Sequence, residues 1–491
     1  MRNPRALLVA ATFCLTASLA QAFEPQTPAF PGAEGFGAQA RGGRGGRVIE
    51  VTNLNDRGPG SLRAAIEARG PRIVVFRTGG TIELQSELVL TEPYITIAGQ
   101  TAPGDGITLK THPSIPQSAL TIKGGAHDVV IRYIRSRPGP STVQAVRGDD
   151  SQIKDALQIL DAHDVIIDHC SFSWASDEVV STFSTAHDVT IQWCVIAEAL
   201  RSPDGRGPDG KGLLIGNREA RNVSVHHNLL AHNAGRNPLI KCRGPVDLVN
   251  NVVLAPAAVA IAVDGEFGRT PVNIVGNHVA APNSDGLVYG AWALGNRPVS
   301  LFVRDNLGPY RTRDEQPQEF FVRPMGGGRK FLVETPHDAP PVTTTSVREA
   351  FDRVLAEAGC TRPVRDAVDQ RIVQDVRQQR TRLIRDPSEV GGWPELATGT
   401  PPADSDHDGM PDDWEREHGF DPRNPADGAG DADGDGYTNV EEFLNGTSLR
   451  VCERKGTGSR RVRSIPAKTG SASVPVPFLS QTLRANGANQ P

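Results

Sequence analysis

From Ile73 to about Tyr310 the apolar residues fall in short, β-branched runs separated by polar turns: Ile73–Phe76, Ile95–Ala98, Val129–Ile134, Ala156–Leu160 and Val165–Ile167. Runs of this length predict strands, not helices. A phase then repeats, an apolar residue followed five positions later by Cys or Asn: Val165/Cys170, Val189/Cys194, Val223/Asn228, Val246/Asn251, Val272/Asn277 and Leu301/Asn306, at spacings of 24, 34, 23, 26 and 29. A period in the twenties predicts a solenoid with one coil per repeat, each coil burying its apolar side chains on its neighbours. Asn at one phase of every coil can bond along the axis as a ladder. The expected fold is therefore all-β, a parallel β-helix. Insertions such as Glu198–Gly212, with Asp204 and Asp209, would bulge from one side and line a cleft. The stretch Asp155–Ser181 combines two strand runs with six acids: Asp155, Asp161, Asp164, Asp168, Asp177 and Glu178.

Different patterns flank the repeats. Residues 30–47 are glycine-rich without the G-x-x-x-x-G-K-[ST] spacing of a phosphate loop, and read as a tight loop. Ser61 is an N-cap for a short helix, Leu62–Arg69, closed by Gly70. Such a helix would cover the end of the solenoid, where strand edges otherwise lie open. Ser346 and Glu349 form a capping box for a helix over Val347–Ala358, ended by Gly359. A charged helical stretch follows over Arg365–Ile384. These helices are expected across the far end or along the side of the solenoid. Residues 386–403 read as a linker.

Composition adds limits. The chain has 491 residues, 51 Gly, 38 Pro and 5% aromatics, which suits many turns and short strands. Residues 1–22 read as a signal peptide: Arg2 and Arg5, an apolar run from Ala6 to Leu19, then Ala20-Gln21-Ala22. The mature chain is expected to be secreted, and no later stretch has the apolar length of a membrane helix. Cys170, Cys194, Cys242, Cys360 and Cys452 remain after cleavage. An odd, sparse set is not a disulfide framework, and no C-x-x-C metal spacing occurs. The net charge of −5 divides unevenly. Residues 404–446 carry 14 acids and 2 bases (−12), residues 447–491 carry 8 bases and 1 acid (+7), and the leader gives +2. The body, 23–403, is then −5 + 12 − 7 − 2 = −2, which argues against a nucleic-acid partner.

The acidic region holds two copies of D-x-[DN]-x-[DN]-G-x5-E. One comprises Asp404, Asp406, Asp408, Gly409 and Glu415, and the other Asp431, Asp433, Asp435, Gly436 and Glu442, offset by 27. Alternate acids on a tight turn converge on one hard cation. Asp412 and Asn439 stand at a further ligand position of each copy. No entering helix precedes Asp404, and Pro411 and Thr438 replace the usual β-branched apolar residue. The pair resembles thrombospondin type 3 or dockerin-like Ca2+ loops, with the role of a spacer or docking module. The basic tail, 447–491, lacks apolar periodicity and reads as disordered.

Six segments in order, FPGAEGFG (30–37), YITIAGQTAPGDGI (94–107), DALQI (155–159), VIIDHCSFSW (165–174), HHN (226–228) and RNPLIK (236–241), resemble pectate lyases of polysaccharide lyase family 1. The resemblance implies a right-handed parallel β-helix over 23–385, and cleavage of polygalacturonate by β-elimination with Ca2+ between enzyme and substrate. It places Ca2+ on Asp155 and Asp177, with Glu178 adjacent. Ser181 stands where the family usually has another acid, which implies a weaker site. Arg236 corresponds to the catalytic base and Lys211 to a substrate-contacting lysine. Lys241 replaces the commoner arginine and would bind a uronate carboxylate as a point charge, with Arg243 beside it. A neutral guanidine implies an alkaline pH optimum.

Asp168 and His169 correspond to a structural pair. His226 and His227 are adjacent on a strand and face opposite ways, against a zinc pair. The partner is expected to be the acidic polysaccharide alone, with no nucleic acid or membrane, a monomeric enzyme, and a docking partner open for the acidic module. The competing readings are a pectin lyase, which needs no Ca2+, an inactive polysaccharide-binding solenoid, and a hydrolase with two carboxyls ~6.5–9.5 Å apart.

Overall fold

The computed structural model describes residues 27–143, 154–202, 210–255, 259–282, 289–294, 299–324, 331–447, 452–454 and 460–462. The leader, Asp204, Asp209 and most of the basic tail lie outside the described residues. Among the described residues, three parallel sheets of eleven, nine and eight strands form the body. They are called here the first, second and third sheets. One coil shows the path: His163–Asp168 in the first sheet, Ser171–Ser173 in the third, Glu178–Phe183 in the second, then His187–Gln192 back in the first. This winding is a parallel β-helix, and its interior is one continuous apolar core.

The repeat read from the sequence sets the register. Val165, Val189, Val223, Val246, Val272 and Leu301 stand in one file across the first sheet. At the turn that follows, the Cys170 N–H donates to Cys194 Sγ and the Cys194 N–H to Asn228 Oδ1. The N–H groups of Asn228, Asn251 and Asn277 donate to Oδ1 of Asn251, Asn277 and Asn306, and all five bonds lie between 2.8 and 3.4 Å. The ladder satisfies backbone donors inside a dry turn, where an unpaired group costs about 1–3 kcal/mol. Asn251 also donates to the Val225 carbonyl at 2.8 Å. Asn251→Ala is expected to lose about 2–3 kcal/mol in urea unfolding. A loss within experimental error would mean that the ladder is dispensable.

Each sheet's outer face then decides what can bind there. On the first sheet, Ala29, Phe30, Ala33, Ala38 and Ala40 pack on Val130 and Ile166. The glycines of this segment permit contact with strand backbone. A Cβ on Gly37 would lie 2.2 Å from the Val165 carbonyl oxygen, and one on Gly43 1.9 Å from that of Arg72. On the third sheet lie two helices, Val347–Glu357 and Ala367–Arg377, packed on Val195, Leu229 and Val252. They run along the side of the barrel. The second helix is shorter than the sequence suggests, because its N-cap is Asp366 and Gln379 turns the chain at φ +51°. The first helix is also short, Leu62–Ile66. Arg72 ends it by donating to the carbonyls of Ala65 and Ile66 at 3.1 and 2.7 Å.

Residues 386–403 lie against the barrel. Trp393 Nε1 donates to the Arg137 carbonyl at 3.0 Å, and Ala397 and Asp105 exchange two bonds of 2.7 and 2.9 Å. The two acidic loops follow and rest on the outer face of the first sheet. Among the described residues no apolar cluster covers the outer face of the second sheet, and the acid-bearing stretch opens there.

Candidate active site

Four successive coils deliver charged residues to one edge of the second sheet. Asp155 precedes strand Leu157–Leu160, and Asp177 precedes Glu178, the first residue of its own strand. Lys211 starts Lys211–Asn217 and pairs in register with Glu178. Gly235 bridges to Lys211, so Arg236 enters beside it, with φ +58°. Parallel register keeps these positions adjacent, about one strand spacing apart from coil to coil.

Asp155 is fully buried. Its Oδ1 accepts from the Glu178 N–H at 3.1 Å and its Oδ2 from Ser181 Oγ at 2.6 Å. Ser181 therefore orients the Asp155 carboxylate through its hydroxyl. Burial, then the nearby charge of Asp177, pushes the Asp155 carboxyl well above the usual carboxylate range. Asp155, Asp177 and Glu178 each offer an oxygen, all within 4.8 Å of one another.

Two cations close the group. Lys211 Nζ pairs with Asp177 and lies 3.4 Å from Glu178 Oε1. Arg236 Nη1 pairs with that same Glu178 oxygen. Burial lowers the Arg236 guanidinium from its ordinary value, while Asp177 and Asp155 act in the opposite direction. Lys241, on strand Leu239–Cys242, pairs with Glu266 and sits 5.7 Å from the Phe267 ring. Arg243 is exposed just past that strand.

Other candidates lie elsewhere. Asp168 is buried on the first sheet, bound by Arg132 and Gln192 at 2.8 Å and by His169 at 2.9 Å. Burial would raise it, but His169 and Arg132 hold its carboxyl well below the usual range. His226 and His227 are also buried, and burial lowers them to about 4 and about 3, so both rings stay neutral.

The loops 404–446 divide their acids. Asp406, Asp408 and Glu415 converge with Asp427, and Asp431, Asp433 and Asp435 form a separate group, exposed at Asp431 and Asp435. Asp404 instead accepts from the N–H groups of His407 and Gly409, and Asp412 from Ser405 and Arg416. Asn439 bonds Ala432 and Asp427, and Glu442 bonds Thr447. Asp427 was invisible to the motif, because it lies between the two loops. Phe183 is a second residue the motifs missed. It is 40% exposed, two positions past Ser181 and so on the same outer face, a placement that strand alternation alone predicts.

No family model matches the chain. Among curated proteins it is similar to "Probable pectate lyase C" of Aspergillus terreus, 39% identical over 422 residues, covering 85% of this chain and 93% of that one. The Aspergillus flavus protein of the same name is 38% identical over 429 residues, with the same coverage. A "Putative pectate lyase 2" of Arabidopsis thaliana is 32% identical over 174 residues, 32% of this chain and 42% of that one. Among solved structures, the cedar pollen allergen Jun a 1 aligns at 19% identity and TM-score 0.46, covering 67% of this chain and 92% of its own. A pectate lyase from Bacillus sp. N165 in complex with trigalacturonate aligns at 16% and 0.42, covering 66% and 98%.

Proposed function

The chain belongs to the pectate lyases, and from that premise we propose that it cleaves polygalacturonate by Ca2+-assisted β-elimination at the edge of the second sheet. The observation that carries the reading is Arg236, half-buried and paired with Glu178, next to Lys211 and three converging carboxylates. The donor set fits a hard cation: three carboxylates, one of them fully buried and held by a serine hydroxyl and a backbone N–H. Asp155, Asp177 and Glu178 would hold Ca2+, which when bound stabilises negative charge on the uronate carboxylate as a Lewis acid.

The protein residues take the remaining roles. Arg236, once neutral, removes the C5 proton. The C5–H electron pair forms the C4=C5 double bond, the C4–O bond breaks, and the leaving oxygen takes a proton from water. Lys211 and Lys241 bind uronate carboxylates as point charges, with Arg243 at the rim. Ser181 holds Asp155 in its ligand orientation. Residues 1–22 direct export, and the enzyme acts as a monomer.

The test is absorbance at the unsaturated-uronate band on polygalacturonate, with Ca2+ or with chelator. Absorbance is expected to grow with Ca2+ and to stop with chelator. Product formed at the same rate in chelator would refute the Ca2+ role, and reducing ends without absorbance would refute elimination.

A further inference from the structure

The acids of the first C-terminal loop differ from ordinary surface carboxylates. Glu415 is 0% exposed, and neither of its oxygens has a hydrogen-bond partner among the described residues. Asp406 Oδ2, Asp408 Oδ2 and Asp427 Oδ1 are likewise buried and unpartnered, and all four residues bring an oxygen within 4.8 Å of the others. Gly428 makes the approach possible, since a Cβ there would sit 2.5 Å from Asp408 Oδ2. Burial, then neighbouring carboxylates, pushes Glu415 up to about 7. Burial also raises Asp408, to about 7. Converging buried carboxylates without donors are costly unless a cation neutralises them.

The same loop carries the contact with the barrel. Met410, two residues past Asp408, is fully buried and packs with Val440 and Leu444 on Ile73, Val75 and Ala98 of the first sheet. A Cβ on Gly409 would meet Val48 at 3.2 Å. Around this apolar contact, His407 pairs with Glu50 at 3.0 Å, Arg44 with Glu441 at 3.0 Å, and Arg132 donates to Asn445 at 2.9 Å. Any ligand that fixes Asp408 and Glu415 also fixes the turn that seats Met410.

We propose that Asp406, Asp408, Glu415 and Asp427 bind a hard divalent cation of the Ca2+ class, and that this ion fastens the C-terminal loops to the first coils of the barrel. Oxygen donors alone select hard cations over zinc or copper. The site is structural and lies on a different sheet from Arg236. It therefore adds a second Ca2+ dependence, one of stability and not of turnover. Asp427 supplies the ligand from between the loops, in place of the motif's Asp404 and Asp412. In the second loop Asp431 and Asp435 are exposed, Asp431 accepts from the N–H groups of Gly434 and Gly436, and the buried Glu442 pairs with Thr447 instead of joining them.

The experiment uses the full chain stripped with chelator, then titrated with CaCl2. It reads thermal unfolding and limited proteolysis within residues 404–447. A ligand that binds only the closed form, at about a hundred times its Kd, lowers the open population about a hundredfold. Cleavage is expected to slow by that order and the transition to move up. Asp155→Asn is expected to keep this protection while losing turnover, which separates this site from the one at the second sheet. Glu415→Gln and Asp427→Asn are expected to lose the Ca2+ response and keep lyase activity. In chelator Glu415→Gln is expected to be no less stable than the parent chain, since it removes a buried unpaired charge. Undiminished protection in both variants, or no Ca2+ protection of the parent chain, would overturn the proposal.

Discussion

Arg236→Ala is expected to lower kcat/KM on polygalacturonate about 10²- to 10⁴-fold, the usual range for loss of a positioned general base. Its thermal transition should stay close to that of the parent, because the side chain is 31% exposed and ends at the rim of the sheet. Its pH behaviour separates a base from a mere charge. A base works only when deprotonated, so the rate rises with pH up to the pKa of the residue. Burial lowers that pKa in Arg236 and brings the rising limb toward accessible pH, with Asp177 and Asp155 working against the shift. Lysine ordinarily titrates at ~10.4, well below arginine. Arg236→Lys should therefore move the rising limb to lower pH while reducing the plateau, since lysine lacks the planar fork. If Arg236 only binds a uronate carboxylate, Arg236→Lys keeps the original pH profile and raises KM instead. An Arg236→Ala enzyme with parental kcat/KM would remove Arg236 from the reaction.

Much of this arrangement was legible because a solenoid repeats its environment. Val165 and Val189 meet the same interior, so a fixed phase predicts both the register and the Asn ladder. The positions of Asp155, Glu178 and Lys211 on neighbouring strands follow from that register. Segments that fill a unique surface carry no such signal. Residues 386–403 are rich in Pro and Gly with no apolar period, so nothing in them reveals that Trp393 packs on Trp174 at a ring distance of 5.1 Å. The role of Ser181 depends on a bond to Asp155, 26 residues earlier. Asp427 belongs to no motif, and only the folded turn brings it to Asp408. The buried arginines were the least visible of all. Arg137 belongs to no motif, yet its partners Asp366 and Asp369 lie at the start of a helix more than 200 residues later.

Those partners set the second large expectation. Arg137 is fully buried and donates to Asp366 at 2.5 and 3.1 Å, to Asp369 at 2.9 Å and to Ser173 at 3.2 Å. Arg135 adds a contact of 3.4 Å to Asp366, and Ser171 donates to Asp369. The group joins the third sheet to the start of helix Ala367–Arg377. Arg137→Met fills the space but leaves two buried carboxylates with too little positive charge. Breaking one side of such a group costs about 3–5 kcal/mol. That loss is expected in denaturant unfolding, with faster hydrogen exchange across Ala367–Arg377. Adding Asp366→Asn and Asp369→Asn to Arg137→Met should recover part of the loss, because neutral amides need no counter-charge. The three changes are therefore expected to be non-additive. The pH dependence has a definite sign. Burial pushes the Asp366 carboxyl up, but Arg137 and Arg135 outweigh it and hold it down at about 2. A carboxyl depressed in the folded state stabilises above its unfolded pKa of about 3.9, and that contribution fades as pH falls toward 2. The parent should lose stability over that window, and Arg137→Met should lose less of it. A variant that unfolds within about 1 kcal/mol of the parent would mean that apolar packing of Leu355, Val368 and Ile372, not the ion pairs, holds the helices to the barrel.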